Sequence, residues 1–426
     1  MKRISLLSIV CLLLMVPANL HAAERFSLGG YYKSYFVVTD EPAIKNSEVL
    51  EDQPLFGAVS NRIRLKSTIH PAKRLLLTVE YDLSAEVRDY NHITPDFFSG
   101  EVNRGSYRAF DPDSRLYPAE GKRVAGNFTI HQNLDRALVS IGTGPADIYI
   151  GRQAIAWGSA HFINPTDIFL PYVFNEFDVE DRRGIDAVRM RIPLGFMSEI
   201  DAGYVFGRDF YSRNSAAFGR VRLYYWRTDI ALLAMAFREN LLLGFDLTRA
   251  LGGAAGWVEG AYVFVDAIGT GKRESGEDYF RLSLGLDYIF VNGTYLFGEY
   301  HYNQPGARSA DQYADRLFHS DNAAYGEGAV YLLGEHYLAS GIAYQATPLL
   351  SLTGEMMANV ADPSLFLLLR AEDNIASNVY VAAGAYFGLG KGPEYKGGLP
   401  FFPEVSLRSE FGTYPRMFFT SFRLYF

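Results

Sequence analysis

Hydrophobic and polar residues alternate along most of this chain in runs of about ten residues. In the stretch NRIRLKSTIH, Arg62, Arg64 and Lys66 share one face of an extended chain, whereas Ile63 and Leu65 share the other. A period of two residues is typical of β-strands whose two faces meet different surroundings. The stretch therefore predicts a strand with one charged and one apolar face.

The next stretch, RLLLTVEYDLSAE, continues this pattern with Glu80 and Asp82 on its polar face. If a three-residue turn over 71–73 joins the two strands, Arg64 faces Glu80 and Arg62 faces Asp82. Opposite charges across an antiparallel pair contribute about 0.2–1 kcal/mol. On a lipid-facing surface each charge would cost about 2–4 kcal/mol near the midplane. The charged face is therefore expected to line a wet lumen, with a soluble barrel that has its charges outside as the alternative.

Similar strands recur almost end to end, and together they predict an all-β, antiparallel transmembrane barrel of about 18 strands, with 16 as the alternative count. The predicted strands are 26–38, 57–70, 74–87, 132–143, 146–153, 184–194, 197–207, 218–226, 229–238, 240–251, 255–266, 279–290, 293–303, 335–346, 349–359, 364–374, 377–389 and 416–426.

The connections between these strands sort by length. Even-numbered connections are short turns, and every long connection is odd-numbered: 39–56, 88–131, 154–183, 267–278, 304–334 and 390–415. Outer-membrane barrels have short periplasmic turns and longer outer loops. The parity therefore predicts that both termini lie in the periplasm. A soluble β-sandwich is not expected to sort its connections by length in this way.

The N-terminus has the organisation of a secretory signal peptide. Lys2 and Arg3 precede an apolar run over 4–16 and a small-residue exit, which predicts cleavage after residue 22 or 23 and a mature barrel over 24–426. A membrane anchor is the alternative, but the run is too short to span a bilayer. Cys11 is the one cysteine of the chain. The mature protein thus lacks a Cys-x-x-Cys-His site, so we expect no cofactor on this chain and haem only through a partner.

The composition agrees with a membrane barrel. The chain carries 29 Tyr, 31 Phe and 40 Gly, yet no apolar run after the signal segment is long enough for a membrane-spanning helix. Its formal net charge of −8 argues against binding nucleic acid. These features predict the outer-membrane lipid as the surroundings of the barrel.

The last stretch, RMFFTSFRLYF, places Phe422, Leu424 and Phe426 on one face and ends on an aromatic residue. It resembles the C-terminal signature of Gram-negative outer-membrane barrels. The resemblance implies recognition by the barrel insertion machinery and a location in the outer membrane.

The third outer loop, 154–183, is unusually apolar for a loop and contains Trp157, Phe162, Ile163, Ile168 and Phe169. Irregular backbone at membrane depth is tolerated where it lines a water-filled cavity. We therefore expect the loop to fold into the barrel. In position it resembles the third outer loop of general porins, which implies a narrowed pore and a homotrimer.

The segment GRQAIAWG…NPTDIFLP…EDRRGIDAVR, 151–189, also resembles a looser group of porin-like outer-membrane proteins. Some members of that group sheathe multihaem c-type cytochromes in metal-reducing bacteria. This resemblance implies a second hypothesis, in which the lumen holds a cytochrome that conducts electrons.

Charged residues cluster around the end of the third loop. They supply either a transverse electric field that selects among solutes or salt bridges that fix the loop to the wall, and the two roles are compatible. The acidic ones lack the spacing of an EF-type calcium loop, and no metal site is predicted. The candidate lumen and constriction residues are Arg62, Arg64, Lys66, Glu80, Asp82, Arg152, Asp178, Glu180, Asp181, Arg182, Arg183 and Arg189.

The leading functional hypothesis is a channel that passes small polar solutes or ions through a lumen narrowed by loop 154–183. The cytochrome sheath is the alternative. A hydrolase is a third hypothesis, but the eight His residues form no Ser/His/Asp pattern, so no catalytic residue is predicted and we expect no enzyme.

Overall fold

The chain forms a closed antiparallel β-barrel. The computed structural model describes residues 25–46, 55–89, 107–110, 115–117, 128–171, 178, 180–195, 197–269, 276–318, 323–399 and 402–426. Each of the 18 barrel strands pairs with the next along the chain, and the last pairs with the first, as in Tyr31 opposite Tyr425. The predicted fold class and strand count are confirmed. The predicted signal peptide lies outside the described residues.

The barrel strands agree closely with the predicted ranges. They are Phe26–Asp40, Phe56–Ala72, Leu75–Arg88, Phe128–Gly142, Asp147–Gln153, Ile185–Pro193, Glu199–Val205, Ala216–Tyr225, Thr228–Phe237, Asn240–Leu251, Ala254–Phe264, Tyr279–Ile289, Tyr295–Asn303, His336–Gln345, Leu350–Asn359, Ser364–Ala376, Val379–Leu389 and Arg416–Tyr425.

Smaller elements lie at the outer end. They are a short strand Arg115–Tyr117, a hairpin of Glu394–Leu399 and Phe402–Ser406, α-helices Tyr313–Phe318 and Ala323–Gly326, and 3₁₀ turns Arg208–Phe210, Ser212–Asn214, Ala310–Gln312 and Phe411–Thr413. Among the described residues, every helix is too short to cross a bilayer.

The two faces of the wall differ as the alternation predicts. Lys33 and Tyr35 of the first strand are buried toward the lumen, whereas the neighbouring Phe36 is half exposed on the outside. In the last strand, Phe422 and Leu424 also point outward. Because a charge on the lipid face is costly and an apolar side chain is not, this orientation suits a barrel surrounded by hydrocarbon.

Aromatic side chains form two outward-facing bands. Those at the turn end of the strands are Tyr225, Trp226, Tyr288, Phe290 and Tyr344, and those at the opposite end include Phe36, Tyr204 and Tyr262. Tyr and Trp with one apolar and one wet side favour the two interfaces of a bilayer. The bands therefore mark where the hydrocarbon layer begins and ends.

The predicted register of the first hairpin is wrong by two residues. Arg64 pairs with Asp82 and Lys66 with Glu80, because the turn is only Lys73-Arg74 and the ladder is irregular just before it. A shift of two keeps every side chain on its face.

The predicted charge pairs nevertheless form, along the diagonal of the sheet. Arg62 Nε lies 3.1 Å from Asp82 Oδ1, and Arg64 Nε lies 3.0 Å from Glu80 Oε2. Arginine side chains are long enough to reach a diagonal neighbour. The charged face of this hairpin therefore forms as predicted, although the register of the two strands differs from the prediction.

A buried carboxyl group ties three outer loops together at the rim. Glu410 accepts hydrogen bonds from the Leu333 amide at 3.0 Å, the Tyr337 hydroxyl at 2.5 Å and Asn359 Nδ2 at 2.7 Å. The Glu410 amide donates to Asp362 at 2.6 Å. Burial raises the pKa of Glu410 to about 7, because the described side chains around it supply hydrogen-bond donors but no cation.

The rim should consequently weaken as the pH rises. A raised carboxyl pKa adds stability that is complete below the unfolded value of about 4.3 and lost as the pH passes the folded value. We expect hydrogen exchange at the Leu333 amide, corrected for intrinsic rates, to accelerate between pH 6 and 8. Glu410→Gln should remove this dependence, whereas Glu394→Gln in the exposed hairpin should keep it. An unchanged profile in Glu410→Gln would contradict the assignment.

Candidate functional site: the lumen and its inward-folded loop

The third outer loop turns into the barrel and packs against its inner wall, as predicted. Ile155, Ile163 and Ile168 are each at most 2% exposed. The Trp157 ring lies 4.8 Å from the ring of Phe218 on the wall, measured between centroids. The apolar residues of the loop thus form a core with the wall.

One wall carboxylate holds the first part of this loop. Glu259 is fully buried and accepts from the backbone amides of Ser159 at 3.1 Å, Ala160 at 3.3 Å and Thr166 at 3.0 Å. The Thr166 hydroxyl adds a fourth bond of 2.7 Å. Gly158 allows this approach: it has φ +109°, and a Cβ there would lie 2.6 Å from Glu259 Oε2.

A second wall carboxylate holds the adjoining residues. Glu299 accepts from the amides of His161 at 2.7 Å, Phe162 at 3.2 Å and Ile163 at 3.2 Å. Trp257 Nε1 donates to the same carboxylate at 3.2 Å. Buried amide groups outside a β-ladder need other acceptors, and a carboxylate offers two oxygens with several lone pairs. Glu259 and Glu299 therefore replace the missing ladder.

The acidic end of the loop reaches the opposite wall, and we call this contact the latch: Asp178, Glu180 and Asp181 on the loop with Lys33, Arg62 and Lys66 on the first two strands. Lys33 Nζ lies 2.7 Å from Asp178 and 2.6 Å from Glu180. Arg62 lies 3.0 Å from Asp178. Although burial opposes ionisation, Lys33 and Arg62 hold the pKa of Asp178 below its usual value.

Asp181 forms the other half of the latch. It lies 3.0 Å from Lys66 Nζ and accepts the Tyr31 hydroxyl hydrogen at 2.9 Å. Arg64, which is fully buried, lies 3.7 Å away. Despite burial, Arg64 and Lys66 lower the pKa of Asp181. The lowered pKa values keep Asp178 and Asp181 ionised at neutral pH.

Arg64 also anchors a carboxylate network behind the latch. Its guanidinium lies 2.5 Å from Glu80, 3.1 Å from Asp82 and 2.5 Å from Asp135. Arg136 lies 2.5 Å from the same Asp135. A buried charge needs both ion partners and hydrogen bonds, and this network supplies them.

The remaining predicted residues have separate roles. Arg182 donates to Asp167 and to the Leu170 carbonyl within the loop, and the Arg182 carbonyl accepts a hydrogen bond from Arg136 at 2.7 Å. Arg182 therefore braces the loop internally.

Arg152 and Arg189 do not join the latch. Arg152 pairs with Asp186 at 2.7 Å, and Arg189 pairs with Asp201 at 2.6 Å, both along the wall. Arg183 is half-buried beside Arg182. The structure therefore brings eight of the predicted residues together in the latch and the network behind it, whereas Arg152, Arg182 and Arg189 bond elsewhere.

A cavity of about 480 Å³ remains between the latch and the wall opposite the packed loop. Its lining residues are Tyr35, Asp178, Glu180, Arg370, Glu372, Asn378, Tyr380, Phe419, Ser421, Arg423 and Tyr425. Arg370 and Arg423 share Glu372 as their ion partner. The Nε atoms of both arginines are buried without a hydrogen bond among the described residues. The cavity therefore sets two guanidinium groups opposite the acidic loop end.

Sequence reasoning missed several residues of this site. Lys33, Arg370 and Arg423 lie in largely apolar strands, and the alternation alone places them on the lumen side. Glu259 and Glu299 have the same signal, one acidic residue at an inward position of an aromatic-rich strand. The loop partners of Glu259 and Glu299 lie far away in sequence, so the strand pattern does not predict these partners.

Comparison with known proteins finds solved structures with a similar fold. No protein-family profile and no curated protein matches the chain. A BenF-like porin from Pseudomonas fluorescens has 9% identity over 95% of this chain and 99% of that one, with a TM-score of 0.52. OccD3 (OpdP) of Pseudomonas aeruginosa has 10% identity, coverages of 94% and 91%, and a TM-score of 0.51. OccAB1 of Acinetobacter baumannii has 9% identity over 94% of this chain and 96% of that one, with a TM-score of 0.51. The chain therefore shares the barrel fold of these solved structures.

The two anchoring carboxylates can be tested together. Glu259→Gln with Glu299→Gln replaces acceptor oxygens by amide donors that face other donors. Because each buried unsatisfied group costs about 1–3 kcal/mol, we expect hydrogen exchange over 159–166 to rise about tenfold or more. The control is Glu355→Gln, a lumen-facing glutamate that makes no hydrogen bond to the described part of the loop. Equal protection in the double variant and the control would contradict the anchoring role.

Proposed function

We propose that this protein is a passive channel of the Gram-negative outer membrane that conducts small polar solutes or ions. The cavity between the latch and the arginine pair carries this proposal, because it is a charged space that the described part of the inward loop leaves in the lumen. Both guanidinium and carboxylate groups border it. Opposed charges of this kind select solutes by charge and dipole orientation.

The surroundings of the barrel support the location. The outward apolar face and two aromatic bands suit a hydrocarbon layer. Phe422, Leu424 and Phe426 lie on this outer face, which suits a terminal strand read by the insertion machinery. The similar BenF-like porin is named as a porin, a channel protein. A homotrimer remains a prediction.

The lumen favours a channel over a cytochrome sheath. A sheath needs an interior wide enough for a folded haem protein, whereas the chain's own loop occupies this interior and anchors to both sides of the wall. Catalysis is not part of the proposal.

Removing the inward loop should widen the path. Deletion of 160–176 takes out the packed segment, so single-channel conductance in planar bilayers should rise. Heat-modifiable migration on gels reports whether the deleted barrel is folded. Unchanged conductance in a folded deletion variant would contradict the proposal that the loop narrows the path.

Charge neutralisation in the cavity should alter ion selectivity. Arg370→Gln with Arg423→Gln removes positive charge opposite Asp178 and Glu180, so the reversal potential under a salt gradient should shift toward cations. Lys73→Gln, in an exposed turn, is the control and should leave it unchanged. An identical reversal potential in the arginine variant and the control would show that solutes do not pass this cavity.

A further inference from the structure

The outer surface of the barrel carries a groove of about 670 Å³ that is separate from the lumen. It crosses neighbouring strands in two rows of outward-facing residues. One row contains Thr228, Arg249, Gly256, Leu286 and Gly298, and the other contains Leu247, Val258, Leu284, Tyr300 and Leu338. Each row follows the pairing register from strand to strand.

Glycine residues create the depth of this groove. A Cβ added at Gly298 would meet no atom within 4 Å, so a full side chain would project into open space there. At Gly256 a Cβ would lie 3.0 Å from Leu286 Cδ2 and 3.5 Å from Leu251 Cδ1, both of which form the groove walls. The outer wall is therefore recessed where neighbouring strands present leucines.

A cation lies at one end of the groove. Arg249 faces outward near the turn at Gly252-Gly253, and it is exposed. No carboxylate among the described residues lies within ion-pair distance of it. An outward arginine near the membrane interface costs far less free energy than one at the midplane. Arg249 is thus free to meet an anion at headgroup depth.

We propose that this groove binds a phospholipid of the periplasmic leaflet, with its phosphate on Arg249 and one acyl chain along the recessed leucine and glycine rows. The proposal rests on the outer-membrane location proposed above, but not on solute transport. Guanidinium groups bind phosphate in a bidentate geometry. The apolar rows supply the hydrophobic part of the same ligand.

The dimensions suit one leaflet. The groove extends from the strand of Arg249 to that of Leu338, which is four inter-strand steps of about 4.8 Å, or about 19 Å. One leaflet contributes about 15 Å of hydrocarbon. An acyl chain that begins at the periplasmic interface would therefore fit along the groove and fill the recess at the glycines.

Native mass spectrometry of the full barrel, purified in mild detergent and titrated with phosphatidylglycerol, tests this site. We expect one phospholipid to remain bound to the wild-type chain at collision energies that strip the others. Arg249→Gln should weaken its retention about tenfold, and Gly298→Leu, which fills the groove, should abolish it. The matched controls are Arg74→Gln in another periplasmic turn and Gly219→Leu at an outward glycine that does not line the groove, lies five strands from Gly298 and has equally open space.

Equal retention in the groove variants and the controls would overturn the proposal. The proposal would also be overturned if the wild-type chain formed a dimer or trimer and Gly298→Leu dissociated it without loss of lipid. A second copy of the chain would then occupy the groove. Heat-modifiable migration identifies variants that fold. A barrel that holds the phospholipid but conducts no ions would support this inference while contradicting the channel function.

Discussion

A peptide group removed from water needs a hydrogen-bond partner, and this requirement shapes both the wall and the lumen of the barrel. In the wall, the pairing of the first strand with the last leaves the sheet without an edge. In the lumen, the inward loop has no ladder to join. Glu259 and Glu299 meet its amide groups instead, so the loop depends on two carboxylates that the wall supplies.

This anchoring divides the interior into two unlike regions. On one side the loop packs Trp157 and Phe169 against Phe218, which excludes water. On the other side the latch brings acidic loop residues against Lys33 and Arg62. The charged cavity remains beside the latch. The same loop therefore packs on one side of the lumen and supplies one wall of the charged cavity.

Local chemistry made the strands and loops predictable. The alternation of polar and apolar side chains depends only on the residues of each strand. The strand Tyr279–Ile289 was therefore expected at 279–290, and the charges of the first hairpin were expected on one face. The register failed because it depends on a turn one residue shorter than the sequence suggested. Glu259 and Glu299 were missed because their loop partners lie 93 to 138 residues away and become neighbours only when the barrel closes.

The most direct test of this account is a disulfide between the loop and the wall. Ser159 of the loop is hydrogen-bonded to Asp246 of the adjacent wall, and the predicted mature chain has no cysteine of its own. Ser159→Cys with Asp246→Cys should therefore oxidise almost completely in the folded barrel, as measured by thiol labelling before and after reduction. Two free, labelled thiols in a folded barrel would show that the loop does not rest on Glu259 and Glu299, and would contradict the account.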